Sequence, residues 1–230
     1  MCKKSNGKLS VKRNFSLETG IFLTENGKST FDESITVLKD NLLLFADSGK
    51  KVFQFESSIN GEGKTTLVAN VAVSLAKHKK KVVVVDLDFR NPGLYKSFGV
   101  SDEKGLGDYF YEDTHDEDLI KTTEYGVDVI TVGKEISNPS LALSSDKMIE
   151  LIEKLKKVYE FVLLDCSPIV TSSDYMHITK FADGVIMVVS TDYVKKPVVL
   201  ESVRLLKKLN ANVLGSVMTF VPQNSVFYGN

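Results

Sequence analysis

Lys64 is preceded by Gly61-Glu62-Gly63 and followed by Thr65-Thr66, and this short run carries the most definite chemistry in the chain. Gly61 and Gly63 let the backbone curl so that successive N–H groups point inward at an anion. A lysine placed there supplies a point charge for the β- and γ-phosphates of a nucleotide. The Thr65 hydroxyl suits Mg²⁺, a hard cation that takes oxygen ligands. An apolar run leads into the loop, and a helical pattern opens near Lys64, adding its positive dipole end. Strand, glycine-rich loop and helix in this order are the context of a Walker A loop. Ser58 stands where the usual pattern has its first glycine. The expected ligand is ATP with Mg²⁺, and the expected contacts are Ser58, Asn60, Gly61, Glu62, Gly63, Lys64, Thr65 and Thr66.

Two further runs end in carboxylates. Val82–Val85 is followed by Asp86-Leu87-Asp88-Phe89-Arg90, and Phe161–Leu164 by Asp165-Cys166-Ser167-Pro168. Alternate positions of an extended chain point the same way, so Asp86 and Asp88 are expected to face one site. Like charges that close need a cation or a proton between them, and Mg²⁺ supplies one. Asp165 reads as a Walker B acid that holds Mg²⁺ directly or through water, with Thr65 and Asp88 as the other metal-binding candidates.

These groups need rigid strand ends to hold them. Strand-like runs at 52–55, 81–85, 127–132, 161–164, 185–189 and 213–218 alternate with helical patterns marked by Leu67, Val71 and Leu75 and by Met148, Leu151, Ile152 and Leu155. Near-continuous apolar strands are those covered on both faces. The expected fold is α/β, a three-layer P-loop NTPase fold with a mostly parallel central sheet flanked by helices. Ligands of such sheets bind at the carboxyl ends of the strands, where the motifs fall. Residues 1–30 show no sustained period and are expected to be a poorly ordered or accessory segment. Phe31, Ile35, Leu38, Leu42 and Phe45 then open an amphipathic helix that should end near Asp47-Ser48-Gly49. The kinase or ATPase domain is expected over 31–222, and a tail over 223–230.

The chain has 230 residues, 43% of them apolar and 26% charged, with a net charge of −1. That is enough apolar material for one domain with a real core. The balanced charge argues against a nucleic-acid binder. Two cysteines, one at a terminus and one in a strand, fit a reducing cytoplasm. No apolar run approaches the ~18–20 residues that span a bilayer, and no secretory signal is expected. His78, His115 and His177 lack metal-ligand spacing. The basic stretch at 77–81 reads as a solvated helix end, and Cys166 as a packed small residue.

Together these motifs resemble those of the bacterial tyrosine kinases, the cytoplasmic kinases of capsule and exopolysaccharide synthesis. V-V-V-V-D-L-D-F-R-N-P at 82–92 resembles their Walker A′ element, F-V-L-L-D-C-S-P at 161–168 their Walker B, and S-S-x-x-G-E-G-K-T-T at 57–66 their Walker A. Gly105-Leu106-Gly107-Asp108, Gly133 with Asn138-Pro139, and Ser173-Asp174 are smaller matches. The related partition and septum-positioning ATPases carry a second lysine early in the loop, where this chain has Ile59. The resemblance implies an autophosphorylating tyrosine kinase of the single-domain Gram-positive type, in which Lys64 holds phosphates and Thr65, Asp88 and Asp165 serve magnesium. It makes Asp86 the candidate base for a tyrosine hydroxyl and places Arg90 near the γ-phosphate or in a structural ion pair. It also implies a membrane-anchored activator of the polysaccharide co-polymerase or chain-length type, a homo-oligomer, and a place at the inner face of the membrane through that partner. The alternatives are a regulatory, positioning ATPase and an ATP-binding assembly partner without kinase activity.

Three departures stand out. The family's terminal tyrosine cluster is reduced here to Tyr228, the candidate phosphosite. Its Glu-x-x-Arg-x-x-Arg ring helix reads Glu33, Thr36, Lys39, and lysine lacks the arginine fork. Thr219 stands where relatives place an asparagine near the adenine, which makes it the candidate adenine contact.

Overall fold

In Val82–Val85, successive side chains enter opposite cores. Val82 and Val84 pack with Phe53, Phe55, Phe161 and Leu163 on one face, while Val83 and Val85 pack with Val52, Val162 and Leu164 on the other. An apolar strand of this kind requires cover on both sides, and the computed structural model supplies it. It describes residues 20–24, 29–112, 114–192 and 194–222; the expected tail at 223–230, with Tyr228, and most of the expected N-terminal segment lie outside the described residues.

The elements are α1 Thr30–Asp47, β1 Val52–Ser57, α2 Lys64–Lys77, β2 Val82–Leu87, α3 Leu94–Phe98, α4 Leu106–Tyr111, α5 Asp116–Leu119, β3 Ile120–Thr122, β4 Asp128–Ile130, α6 Pro139–Ser144, α7 Asp146–Val158, β5 Phe161–Cys166, α8 Tyr175–Ile178, β6 Gly184–Ser190, α9 Lys196–Lys208 and β7 Val213–Thr219. The sheet runs β3-β4-β2-β5-β1-β6-β7. Every pairing is parallel except β3 with β4. One face is covered by α1, α2 and α3, the other by α4, α6 and α7. This is the expected three-layer α/β fold. No described helix is long and apolar enough to cross a membrane.

The strands that carry the motifs outrun their apolar stretches. β1 continues through Glu56 and Ser57, β2 through Asp86 and Leu87, and β5 through Asp165 and Cys166, every position buried. A hydropathy run stops at the first polar residue, whereas the ladder hydrogen bonds carry on into the site. The three-residue β3 was not among the expected strands.

The first helix starts one residue earlier than expected. Ser29 caps it, accepting from the Asp32 N–H at 3.0 Å, while the Asp32 carboxylate accepts the Ser29 N–H at 2.9 Å. This capping box satisfies two end donors of the helix. Residues 20–24, expected within an accessory segment, are held against the domain. The Asn70 amide on α2 accepts from the Phe22 N–H and donates to the Gly20 carbonyl, both at 2.8 Å.

Candidate functional site

Lys64 is the first residue of α2, and Gly63, its N-cap, sits at φ +82, a left-handed conformation that glycine adopts without strain. The cap makes no side-chain hydrogen bond, so the first amides of α2 open toward a cleft of about 540 Å³. Ser57, Asn60, Gly61, Glu62, Gly63, Lys64, Thr65, Thr66, Asp88, Asn91, Pro168 and Phe220 line it. The expected loop residues are thus brought together, apart from Ser58. That residue is fully buried, and its hydroxyl has no hydrogen-bond partner.

Lys64 Nζ donates to Asp165 Oδ1 at 2.6 Å, with both groups buried. Burial works against the lysine charge, but Asp165 and then Asp88 outweigh it and hold the ammonium above its usual range. The pairing follows from register. β5 lies between β1 and β2, so Asp165 comes level with Phe55 on one side and Asp86 on the other. Residues of one pleat phase on β2 and β5 face α2, which puts Asp86 and Asp165 beneath the start of that helix.

The two acids of the β2 run then separate. Asp86 Oδ1 accepts the Asp88 N–H at 3.1 Å, and Oδ2 accepts Gly93 N–H at 3.0 Å and Leu94 N–H at 3.1 Å. Burial first, and then the Asp165 carboxylate, push its pKa up to about 8 against those backbone donors. Neither it nor Asp165 lines the cleft, both lying beneath Lys64. Asp88 lies one residue past the strand and does line it. Its Oδ1 accepts from Ser167 Oγ at 2.8 Å and Asn91 N–H at 3.2 Å, and burial raises its pKa despite the nearby Lys64. The expectation that both acids face one site as a pair is therefore corrected: the chain leaves extended geometry after Leu87, and Asp86 fastens the turn that carries Asp88.

Glu62 also departs from its expected role. Its carboxylate, 1% exposed, accepts Ser58 N–H at 2.6 Å, Ile59 N–H at 2.9 Å and Ser190 N–H at 2.9 Å. It ties the loop to the end of β6. Thr219, expected near adenine, donates its hydroxyl to the Glu62 carbonyl at 2.7 Å and so braces the loop from β7. Arg90 Nη2 lies 3.6 Å from Oδ2 of the fully buried Asp174, whose carboxylate oxygens have no hydrogen-bond partner. Of its two expected roles, the geometry matches the structural ion pair.

Ser57, Asn91, Pro168 and Phe220 line the cleft but were not among the expected site residues, although the first three fall within the quoted motifs. Asn91 and Pro168 each stand three residues after a site acid, a spacing at which a turn folds back on its carboxylate. Nothing local marks Phe220. In the altered ring-helix pattern, Glu33 and Thr36 are exposed, while Lys39 turns inward to His78, its Nζ 3.1 Å from Nε2.

The residues fit magnesium. Asp165 Oδ2 is buried with no hydrogen-bond partner, a costly state that a cation or its water relieves. Thr65 and Asp88 line the cleft beside the Lys64–Asp165 pair. Among the described residues no three His, Cys, Asp or Glu side chains are grouped to hold a metal unaided. Magnesium that arrives with a nucleotide does not need such a cage, because phosphates and waters complete its shell.

A family model described as an AAA domain matches residues 50–214. Tyrosine-protein kinase YwqD of Bacillus subtilis is 28% identical over 212 residues, covering 91% of this chain and 90% of that one. Tyrosine-protein kinase CpsD of Streptococcus agalactiae serotype Ia is 27% identical over 203 residues, covering 86% of each. Among solved structures, the chimerical protein CapA2B2 superposes with a TM-score of 0.84 at 29% identity, covering 89% of this chain and 91% of that one. The chain belongs to the AAA domain family and, within it, to the bacterial tyrosine kinases.

Proposed function

We propose that the protein is an ATP- and Mg²⁺-dependent tyrosine kinase that phosphorylates itself and regulates capsule or exopolysaccharide synthesis. The observation that carries this is the buried Lys64–Asp165 pair under the phosphate loop, with an unfilled Asp165 oxygen and Asp88 beside it. The 61–65 amides and Lys64 hold the phosphates, and Thr65, Asp88 and Asp165 take magnesium. Bound magnesium neutralises charge on the β- and γ-phosphates.

In the transfer, the tyrosine oxygen bonds to the γ-phosphorus as the bond to the β–γ bridging oxygen breaks; ADP leaves with that oxygen, and the hydroxyl proton passes to an oxygen of the transferred phosphoryl group. A loose transition state asks for positioning more than for a strong base. Asp88, facing the cleft with its Oδ1 taken by Ser167 and Asn91, keeps its other oxygen for magnesium. Asp86 is a positioning residue here, because its oxygens hold the 88–94 turn. Arg90, anchored on Asp174, steadies the same turn from outside.

The relatives named as tyrosine-protein kinases support this reading, as does the likeness to CapA2B2. A membrane-anchored activator, docking near residues 1–30 or α1, and a place at the cytoplasmic face of the membrane belong to the same proposal. The test is to incubate purified protein, with and without the cytoplasmic tail of a candidate activator, with labelled ATP and Mg²⁺. Phosphotyrosine is expected, lost in Asp165→Asn and, if the tail is the acceptor, in Tyr228→Phe. ATP hydrolysis or ATP-dependent dimerisation with no phosphotyrosine would select a regulatory ATPase instead.

A further inference from the structure

Tyrosine transfer needs a phenol oxygen at the γ-phosphorus, and among the described residues no tyrosine lines the cleft. The acceptor must be brought there, and a buried phenol cannot be. Tyr109, Tyr159 and Tyr175 are buried, while Tyr95 and Tyr125 are half-buried. Tyr111 is 55% exposed. It is the last residue of α4, and the chain turns extended at Glu112, the C-cap of that helix. A helix end frays more readily than a helix centre, so this side chain can leave its domain without unfolding it.

The Tyr111 hydroxyl accepts the N–H of the exposed Ser137 at 3.1 Å. Ser137 lies in the segment that follows β4, which runs parallel to β2. That segment leaves the sheet at its carboxyl end, the end on which the phosphate loop opens. It does so three strand spacings from β1, roughly 14 Å across the sheet. A phenol held on Ser137 is therefore on the same end of the molecule as the cleft but outside it, turned toward whatever approaches that end.

Donors for a phosphate are already in place beside it. Ser137 supplies a backbone N–H. The Lys134 ammonium pairs with Glu112 and lies 3.8 Å from Asp108 Oδ1, on a side chain that is 56% exposed and able to turn. A phosphate on Tyr111 would add close to two negative charges and three acceptor oxygens. It would compete with Glu112 and Asp108 for Lys134, and its charge-assisted bonds favour it.

We propose that Tyr111 is a phosphorylation site, filled by the cleft of a second copy of this chain. The Tyr111 oxygen bonds to the γ-phosphorus of ATP held in that copy as the bond to the β–γ bridging oxygen breaks. ADP leaves with the bridging oxygen, and the phenol proton passes to the transferred phosphoryl group. The inference rests on the kinase reading of the cleft.

The test is to incubate the full chain with Mg-ATP, with and without the candidate activator tail, and to digest it with trypsin. Cleavage after Lys104 and Lys121 gives one peptide holding both Tyr109 and Tyr111, and fragment masses tell the two apart. Phosphate is expected on Tyr111 at least about tenfold above Tyr109, because a buried tyrosine reacts only after the domain opens. The rate per chain should rise in proportion to protein concentration. Tyr111→Phe should abolish the signal on this peptide and still bind Mg-ATP as the parent does. Phosphotyrosine elsewhere with none on Tyr111 overturns the proposal. So does equal labelling of Tyr109, or a rate per chain that ignores concentration. If no phosphotyrosine forms anywhere, with or without the tail, the kinase reading falls and takes this inference with it.

Discussion

Replacing Glu62 by Gln should destabilise the domain even though shape and volume barely change. One carboxylate oxygen accepts the Ser58 and Ile59 N–H groups and the other accepts Ser190 N–H, in a side chain that is 1% exposed. An amide has only one accepting end. Turned to favour Ser58 and Ile59, its NH₂ faces the Ser190 N–H, and a buried donor is left unmet. That costs about 1–3 kcal/mol, and the two surviving bonds lose their charge assistance at about 1 kcal/mol each. The sum is roughly 3–5 kcal/mol, or about a 10 °C fall in melting temperature for a chain of this size. The phosphate loop is also freed from β6, so Mg-ATP should bind at least about tenfold more weakly, since the loop amides are no longer preorganised. Thermal melts and calorimetric titration measure both effects, with the exposed Glu33→Gln as control. A Glu62→Gln protein that melts within about 2 °C of the parent, less than 1 kcal/mol by the same conversion, and binds Mg-ATP normally would refute the assignment.

Asp165→Asn should remove a 2.6 Å ion pair between buried groups and leave the Lys64 charge short of a partner, costing about 3 kcal/mol in a urea titration. The same variant should lose the gain in ATP affinity that magnesium gives the parent, read by titrating with and without Mg²⁺. Glu56 supplies a pH dependence. Burial raises its pKa from 4.5 to about 8, with the Gln54 amide and Lys64 opposing. A carboxyl raised on folding binds its proton more tightly in the native state, so its contribution is full below pH 4.5 and is lost as pH rises toward 8. Glu56→Gln should therefore flatten the decline of stability between pH 5 and 8, by on the order of a few kcal/mol. Parallel stability curves for the two proteins would contradict this.

The layers of the fold were legible because apolar runs and helical spacing report burial directly, residue by residue. The phosphate loop and the Asp165 strand end were legible for the same reason: glycine spacing and a polar residue ending an apolar run are local signals. What each acid does was not. Asp86 and Asp88 have the same type and pleat spacing, yet the chain turns after Leu87, and the donors that claim Asp86 sit at Gly93 and Leu94. Glu62 looks like one more loop residue until Ser190, 128 positions away, is seen to donate to it. Phe220 depends on a left-handed backbone fixed by Thr191, which no apolar pattern reveals.

A rule for sorting such carboxylates follows from counting donors. A carboxylate whose two oxygens are already filled by backbone N–H groups gains little from a cation, because binding one means surrendering bonds made on folding. Glu62 and Asp86 are in that position, each with three such donors. Asp165 is the opposite case: one oxygen holds Lys64 and the other is buried with no hydrogen-bond partner. Its unmet oxygen is a standing cost in the free protein that a bound cation removes, so the same atom that weakens the fold strengthens the complex. On this account Asp165→Asn should narrow the gap in melting temperature between the free and Mg-ATP-bound protein, while Asp86→Asn should lower both melting temperatures together and leave that gap nearly unchanged.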